Sequence, residues 1–195
     1  MVELPWIILF APLLAAATIT FLLQKSPKTA AGIALAGIFT SRAGSIALFI
    51  FHSQYHLLPA ESSWSWIQVA GFKVDFGFLL DPLSILMLLV VTGVGSCVFL
   101  YSTSYMKEDS SYARYFACLS LFAFSMLGIV LANNFLMLFV FWELVAVSSY
   151  LLIGFWFEKP SAADAGKKAF MVNRVADFGF VLGIFLVWML SGLGG

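Results

Sequence analysis

Charge is what this sequence has least of. Only 10% of its 195 residues are Asp, Glu, Lys or Arg, against about 25% in an ordinary soluble domain. So little polar surface cannot coat a water-exposed globule, and lipid is the natural solvent. Ten basic residues balance ten acidic ones, which leaves no cationic excess to hold a phosphate backbone and excludes a nucleic-acid partner. Cysteine is scarce too. Cys97 and Cys118 each sit inside an apolar run, which suits small core residues better than a disulfide or metal pair. The opening MVELPWIILFAPLL has neither a basic leader region nor a small-residue cleavage site, so it reads as a retained first helix. No glycine-rich nucleotide loop, nucleophile–base pair or cysteine cluster occurs, so this chain is assigned no redox chemistry, metal or cofactor of its own.

What fills the sequence is hydrocarbon: 62% of residues are hydrophobic and 17% aromatic. Apolar stretches long enough to cross about 30 Å of lipid fall near 4–24, 30–51, 79–105, 113–132, 135–157 and 166–190. They lack the alternating polar positions of barrel strands, and only helices satisfy every backbone amide within such a segment. The expected fold is all-α, a polytopic membrane bundle of six transmembrane helices. Lys25, Lys28, Lys107, Arg114, Lys159, Lys167 and Lys168 fall on one side if the helices alternate, and Lys73 on the other. The bias of basic residues toward the cytoplasm then places the N-terminus outside. Trp6, Trp64, Trp66, Trp156 and Trp188 lie near the predicted interfaces.

The longest connection contains WSWIQVAGFKVDFGF, which alternates apolar and polar residues around Gly71. That pattern predicts a short hairpin covering the outer helix ends. DPLS at 81–84 opens the third helix, with Asp81 as its cap and Pro82 at its first position. The expected organisation is two N-terminal helices over 1–56, an outer loop over 57–78, and four helices over 79–195.

Four charges lie within or near the edges of the spans: Arg42, Glu143, Arg174 and Asp177. A carboxylate at the centre of a spanning helix costs roughly 2.5–3.5 kcal/mol on insertion scales. Such residues usually face a bundle interior and mark ion or proton paths. Glu143 shares a face with Ala146 and Tyr150, whose hydroxyl is in a position to offer a hydrogen bond. In KKAFMVNRVADFGF, Asn173, Arg174 and Asp177 share one broad face, which suggests local pairing of Arg174 with Asp177. The alternative for Glu143 is a static carboxylate neutralised by a basic neighbour. Lys167 is expected to snorkel to the headgroups, and Arg42 to pack and hydrogen-bond at a helix interface or against another subunit. His52 and His56, four residues apart, have metal-ligand spacing but no carboxylate or cysteine nearby, so they read as surface histidines. GFVLG at 179–183 is a close-packing motif.

The segments LLDPLSILMLLVVTGVG, YARYFACLSLFAFSMLGIVLANNFLMLFVFWELVAVSSYLLIGFWF and AGKKAFMVNRVADFGF together resemble the N-terminal third of one family. It is the large antiporter-like subunit of respiratory complex I, also called chain 5, together with its counterpart in the photosynthetic relative of that complex. The resemblance implies a proton-translocating membrane subunit of an NADH:quinone oxidoreductase, in a bacterial plasma membrane or a thylakoid or organelle inner membrane. It implies other membrane subunits of complex I as partners, with NADH, FMN, iron–sulfur clusters and quinone held elsewhere in the complex. Carried over residue by residue, Glu143 is the proton-channel glutamate of the WE motif, and Arg174 and Asp177 are the charged pair of R-V-x-D. The family's partner for the glutamate is a lysine on a seventh helix. Phe141 replaces a common glycine, Ala176 the usual glycine of R-V-G-D, and Phe99 a frequent histidine. Family members run to about three times this length, with two inverted five-helix repeats, so the chain is expected to be an N-terminal fragment. Two other readings stay open, a subunit of a multi-subunit cation/proton antiporter and a structural scaffold with static charges.

Overall fold

Residues whose chemistry interrupts an apolar run set most of the helix boundaries. The computed structural model describes residues 3–55, 60–69 and 72–190. Helix α1 spans Leu4–Leu22 with a proline in its first turn, and α2 spans Pro27–Tyr55. Helix α3, Pro82–Tyr105, starts as predicted: the Asp81 carboxylate accepts from the Ser84 amide at 2.6 Å and its hydroxyl at 2.7 Å. Those bonds hold the Asp81 carboxyl below its ordinary 3.8. Helix α4 spans Tyr112–Leu131. Asn134 caps α5, Phe135–Ile153, by accepting from the Met137 amide at 2.8 Å. Helix α6 runs from Pro160 to Leu190. All six are long and apolar enough to cross a membrane, and the expected all-α polytopic bundle is the observed fold.

Three boundaries differ from expectation by four residues or more, the first being the end of α2, which runs to Tyr55 rather than 51. The fifth apolar run continues to residue 157, but the helix stops at Ile153, where Gly154 caps its end. The sixth helix starts at Pro160, before the apolar stretch, because proline suits a first helical position. Hydropathy registers solubility in lipid, and it does not register where the backbone turns.

Strands β1, Ala60–Val69, and β2, Phe72–Leu80, pair antiparallel with Ala60 opposite Leu80 and a register shift between Ser65 and Ile67. The predicted turn at Gly71 lies outside the described residues. The hairpin covers the end of the bundle where α1 begins. Trp6, expected at a lipid interface, is instead buried beneath it, its ring 4.9 Å from Trp64, 5.7 Å from Phe76 and 5.3 Å from Phe78. Asn134 Nδ2 donates to the Asp75 carbonyl at 2.7 Å, and Asn133 Nδ2 to Glu61 Oε1 at 3.0 Å. The three-residue α4–α5 connection is thereby tied to both strands.

Helix α4 is the most buried of the six and α6 the least. Close approach of α1 and α2 depends on small residues: a Cβ at Gly37 would stand 3.0 Å from the Ala15 Cβ. Pro12 lies inside α1 and has no amide to give, which frees the carbonyl of Ile8. The Ser41 hydroxyl of α2 donates to that carbonyl at 2.7 Å. Between α4 and α5, Gly128 makes room for Phe141, whose ring occupies the place a Cβ would take. Phe141 also meets Phe124 edge-on at 5.4 Å. Phe99 is buried against Phe116.

Candidate functional site

The seam between α5 and α6 carries the charges. Inward positions on α6 recur at helical spacing through Gly166, Phe170, Arg174, Asp177 and Phe180, so Arg174 and Asp177 both turn toward α5. Close approach begins where the chain reverses: a Cβ at Gly166 would lie 3.3 Å from the Gly154 Cα. From there the helices run antiparallel, and consecutive residues of α5 meet the charged pair of α6.

Arg174 forms an ion pair with Glu143; the arginine side chain is 39% exposed and the glutamate 20%. The guanidinium also lies over the Phe170 ring, 4.6 Å from its centroid. Beside this pair, Trp142 Nε1 donates to Asp177 Oδ1 at 2.9 Å. Asp177 is 5% exposed, and its Oδ2 has no hydrogen-bond partner among the described residues. The indole is itself set by Phe180, 5.6 Å away and edge-on. Further along α5, Ser148 reaches Ser125 of α4 at 3.4 Å, and both hydroxyls are buried.

The predicted site residues are therefore brought together, but with different partners. Arg174 does not pair locally with Asp177; it crosses to Glu143, and Asp177 takes the Trp142 indole. Asn173 is exposed, off the inward face. Tyr150 packs its ring on Phe170 at 5.6 Å, and no hydrogen bond joins it to Glu143. Trp142 was missed by sequence reasoning, although it stands beside Glu143. The signal was there: an indole N–H inside a membrane needs an acceptor. Gly179 and Gly183 meet no neighbour among the described residues, whereas Gly154 and Gly166 make the close crossing.

Lys167 pairs with Asp164 at 3.6 Å on an exposed turn. Cys118 is partly buried, but Cys97 is exposed rather than in the core. His52 lies in the last turn of α2, and His56 falls outside the described residues. Arg42 is half-buried, and no hydrogen bond or ion pair holds it among the described residues.

Chemically, the seam offers a carboxylate whose charge is balanced by one cation, next to a second carboxylate with an oxygen that has no hydrogen-bond partner among the described residues. A nearby cation favours the charged form of a carboxylate and its withdrawal favours the protonated form. Such a pair can exchange a proton for a conformational change.

Comparison with known proteins is consistent across sequence and structure. Residues 66–116 match the family described as the N-terminus of NADH-ubiquinone oxidoreductase (complex I) chain 5. Residues 132–194 match the transmembrane family of NADH:quinone oxidoreductase and Mrp antiporter. The chain is 44% identical to the chloroplastic NAD(P)H-quinone oxidoreductase subunit 5 of Adiantum capillus-veneris, over 97% of this chain and 27% of that protein. Against the corresponding protein of Physcomitrium patens, identity is 45% over 96% of this chain and 27% of the relative. The chain thus spans about a quarter of the length of these relatives. Its fold is that of a chain in the Mrp complex of Dietzia sp. DQ12-45-1b, with TM-score 0.78 and 24% identity over 96% of this chain and 20% of the other. It also matches a chain of the membrane-bound sulfane sulfur reductase, an archaeal respiratory membrane complex, with TM-score 0.80 and 18% identity over 97% and 38% of the two chains.

Proposed function

Since this chain belongs, over residues 66–116 and 132–194, to the family of complex I chain 5 and Mrp-type antiporter membrane segments, we propose that it forms part of a proton-translocating membrane subunit of an NAD(P)H:quinone oxidoreductase. The observation that carries this reading is the Glu143–Arg174 pair across the α5–α6 seam, beside a buried Asp177 with one oxygen unpartnered. Residues 79–195 serve as the start of the antiporter-like helix repeat, with 1–56 as flanking helices and 57–78 as a cover. Other membrane subunits of the complex surround the chain. NADH, FMN, iron–sulfur clusters and quinone belong to those other parts, and this chain contributes proton movement alone.

In the resting arrangement Glu143 is ionised and paired. Electron transfer elsewhere moves charge or helices, and the guanidinium withdraws. Glu143 then takes a proton from water on the uptake side onto one carboxylate oxygen, because a lone carboxylate in low dielectric is unfavourable. Return of Arg174 expels that proton toward the next acceptor. Asp177 takes part in this reading, since its Oδ2, with no hydrogen-bond partner among the described residues, can hold a proton while Oδ1 stays bonded to Trp142.

The test is Glu143→Gln in the full-length subunit within its native membrane complex. Protons pumped per electron should fall while electron transfer persists. Loss of sodium/proton exchange without dependence on electron transfer would assign the chain to an exchanger. Unchanged pumping would make Glu143 a static charge.

A further inference from the structure

A half-buried charge, Arg42, lies apart from the proton site and has no ion-pair partner among the described residues. Arg42 sits near the centre of α2, about 22 Å from the Pro27 end and about 20 Å from the Tyr55 end at 1.5 Å per residue. Helical side chains lean toward the N-terminus of their helix, so this one leans toward Pro27. Hydrocarbon about 30 Å thick centred on this helix puts its boundary about 15 Å from mid-helix, beyond the reach of the side chain. A cation held at this depth needs an anionic partner or water.

Among the described residues, the helices packed on α2 supply no anion. Helix α2 packs on α1, α3 and α4, and none of those helices contains an aspartate or glutamate. The two carboxylates inside the bundle lie on α5 and α6, where Glu143 pairs with Arg174 and Asp177 accepts from Trp142. The hydroxyls next to Arg42 are committed as well: Ser41 donates to Ile8 O and Ser45 to Ser41 O. Around the guanidinium the surface is apolar and open. Phe39 and Ile46, one turn to either side, are 38% and 42% exposed, and Phe49 is 49% exposed. Helix α6 packs chiefly on α5, so this surface lies on the edge of the bundle away from the proton site.

We propose that the outer face of α2 around Arg42 is the docking surface for a transmembrane helix of a neighbouring subunit, one that carries an aspartate or glutamate at mid-membrane depth. Burial of Phe39, Ile46 and Phe49 supplies area, and the single charge pair sets register. A helix without that carboxylate would leave the guanidinium desolvated and unpaired, so the charge also selects the partner. This inference does not depend on the proton-translocation reading.

The test places a photo-crosslinking amino acid at Phe39, and separately at Ile46, in the full-length subunit in its native membranes. Crosslinked peptides are then identified by mass spectrometry. The expected adduct is a transmembrane peptide of another subunit with an aspartate or glutamate within one turn of the crosslinked residue. Adducts to lipid alone, to another segment of the same polypeptide, or to a helix with no carboxylate there would overturn the proposal, as would no adduct from either position. In parallel, Arg42→Leu should lower co-purification of that partner by about tenfold or more, since it strands a desolvated carboxylate. Arg42→Glu combined with arginine at the identified carboxylate should restore it. Full co-purification of Arg42→Leu would also overturn the proposal.

Discussion

Breaking the Glu143–Arg174 pair from each side, and then from both, measures what the pair contributes. Opposite unit charges about 4 Å apart attract by about 4 kcal/mol at an effective dielectric of about 20. The arginine side chain is 39% exposed and the glutamate 20%, so solvent screening and desolvation lower the net coupling to about 1–2 kcal/mol. Glu143→Gln and Arg174→Gln each leave a lone charge at the seam, whereas the double variant leaves none. The double variant should therefore be less destabilised than the two singles summed, by about 1–2 kcal/mol. That corresponds to roughly tenfold in the folded-to-unfolded ratio. The assay is a double-mutant cycle on denaturant unfolding of the full-length subunit in bicelles, followed by tryptophan fluorescence. A coupling below about 0.3 kcal/mol, the level at which independent sites add, would refute the pairing. Proton translocation should stay lost in the double variant even where stability returns, which separates the two roles of the glutamate.

Three further outcomes are expected. Gly128→Ala sets a methyl group into the Phe141 ring and should destabilise by about 1–3 kcal/mol, with recovery on adding Phe141→Leu; thermal unfolding in detergent measures both. Trp142→Phe removes the donor to a buried carboxylate, an unmet bond costing about 1–3 kcal/mol, and should cut proton translocation while adding little to Asp177→Asn in vesicle pumping assays. In the α3–α4 connection, Asp109 is held below its ordinary 3.8, first by the Trp156 indole hydrogen bond and then by the Ser111 amide. A depressed carboxylate stabilises above its unfolded value and loses that contribution as pH falls through the folded one. Indole fluorescence of the parent, less that of Asp109→Asn, should therefore titrate with a midpoint below 3.8; a midpoint at or above 3.8 would contradict this.

Lipid-scale features were legible in the sequence because hydropathy acts locally. Each of the six helices overlaps its apolar run, and the alternating Phe76 and Phe78 marked the hairpin for the same reason. Asp81 was readable as a cap because capping spans three residues. What escaped was everything that depends on how two helices are rotated against each other. Arg174 and Asp177 are three apart, so their own helix suggests a local pair; only the α5–α6 register hands Arg174 to Glu143. The same rotation turns Gly179 and Gly183 outward, although their spacing suits close packing, and brings Gly166 against Gly154. Phe141 stood out as a departure from its resemblance family. Its compensation, the missing side chain at Gly128, lies on another helix and has no sequence signature.

The hydrogen bond from Ser41 to the Ile8 carbonyl bears on how the protein enters the membrane. A first helix inserted by itself would carry that carbonyl bare in hydrocarbon, since Pro12 cannot close the turn, and lipid offers no donor. Its remedy is encoded thirty-three residues later, on the next helix to leave the ribosome. The two helices are thus matched as a unit of insertion: the first becomes fully compatible with lipid only when the second lies against it.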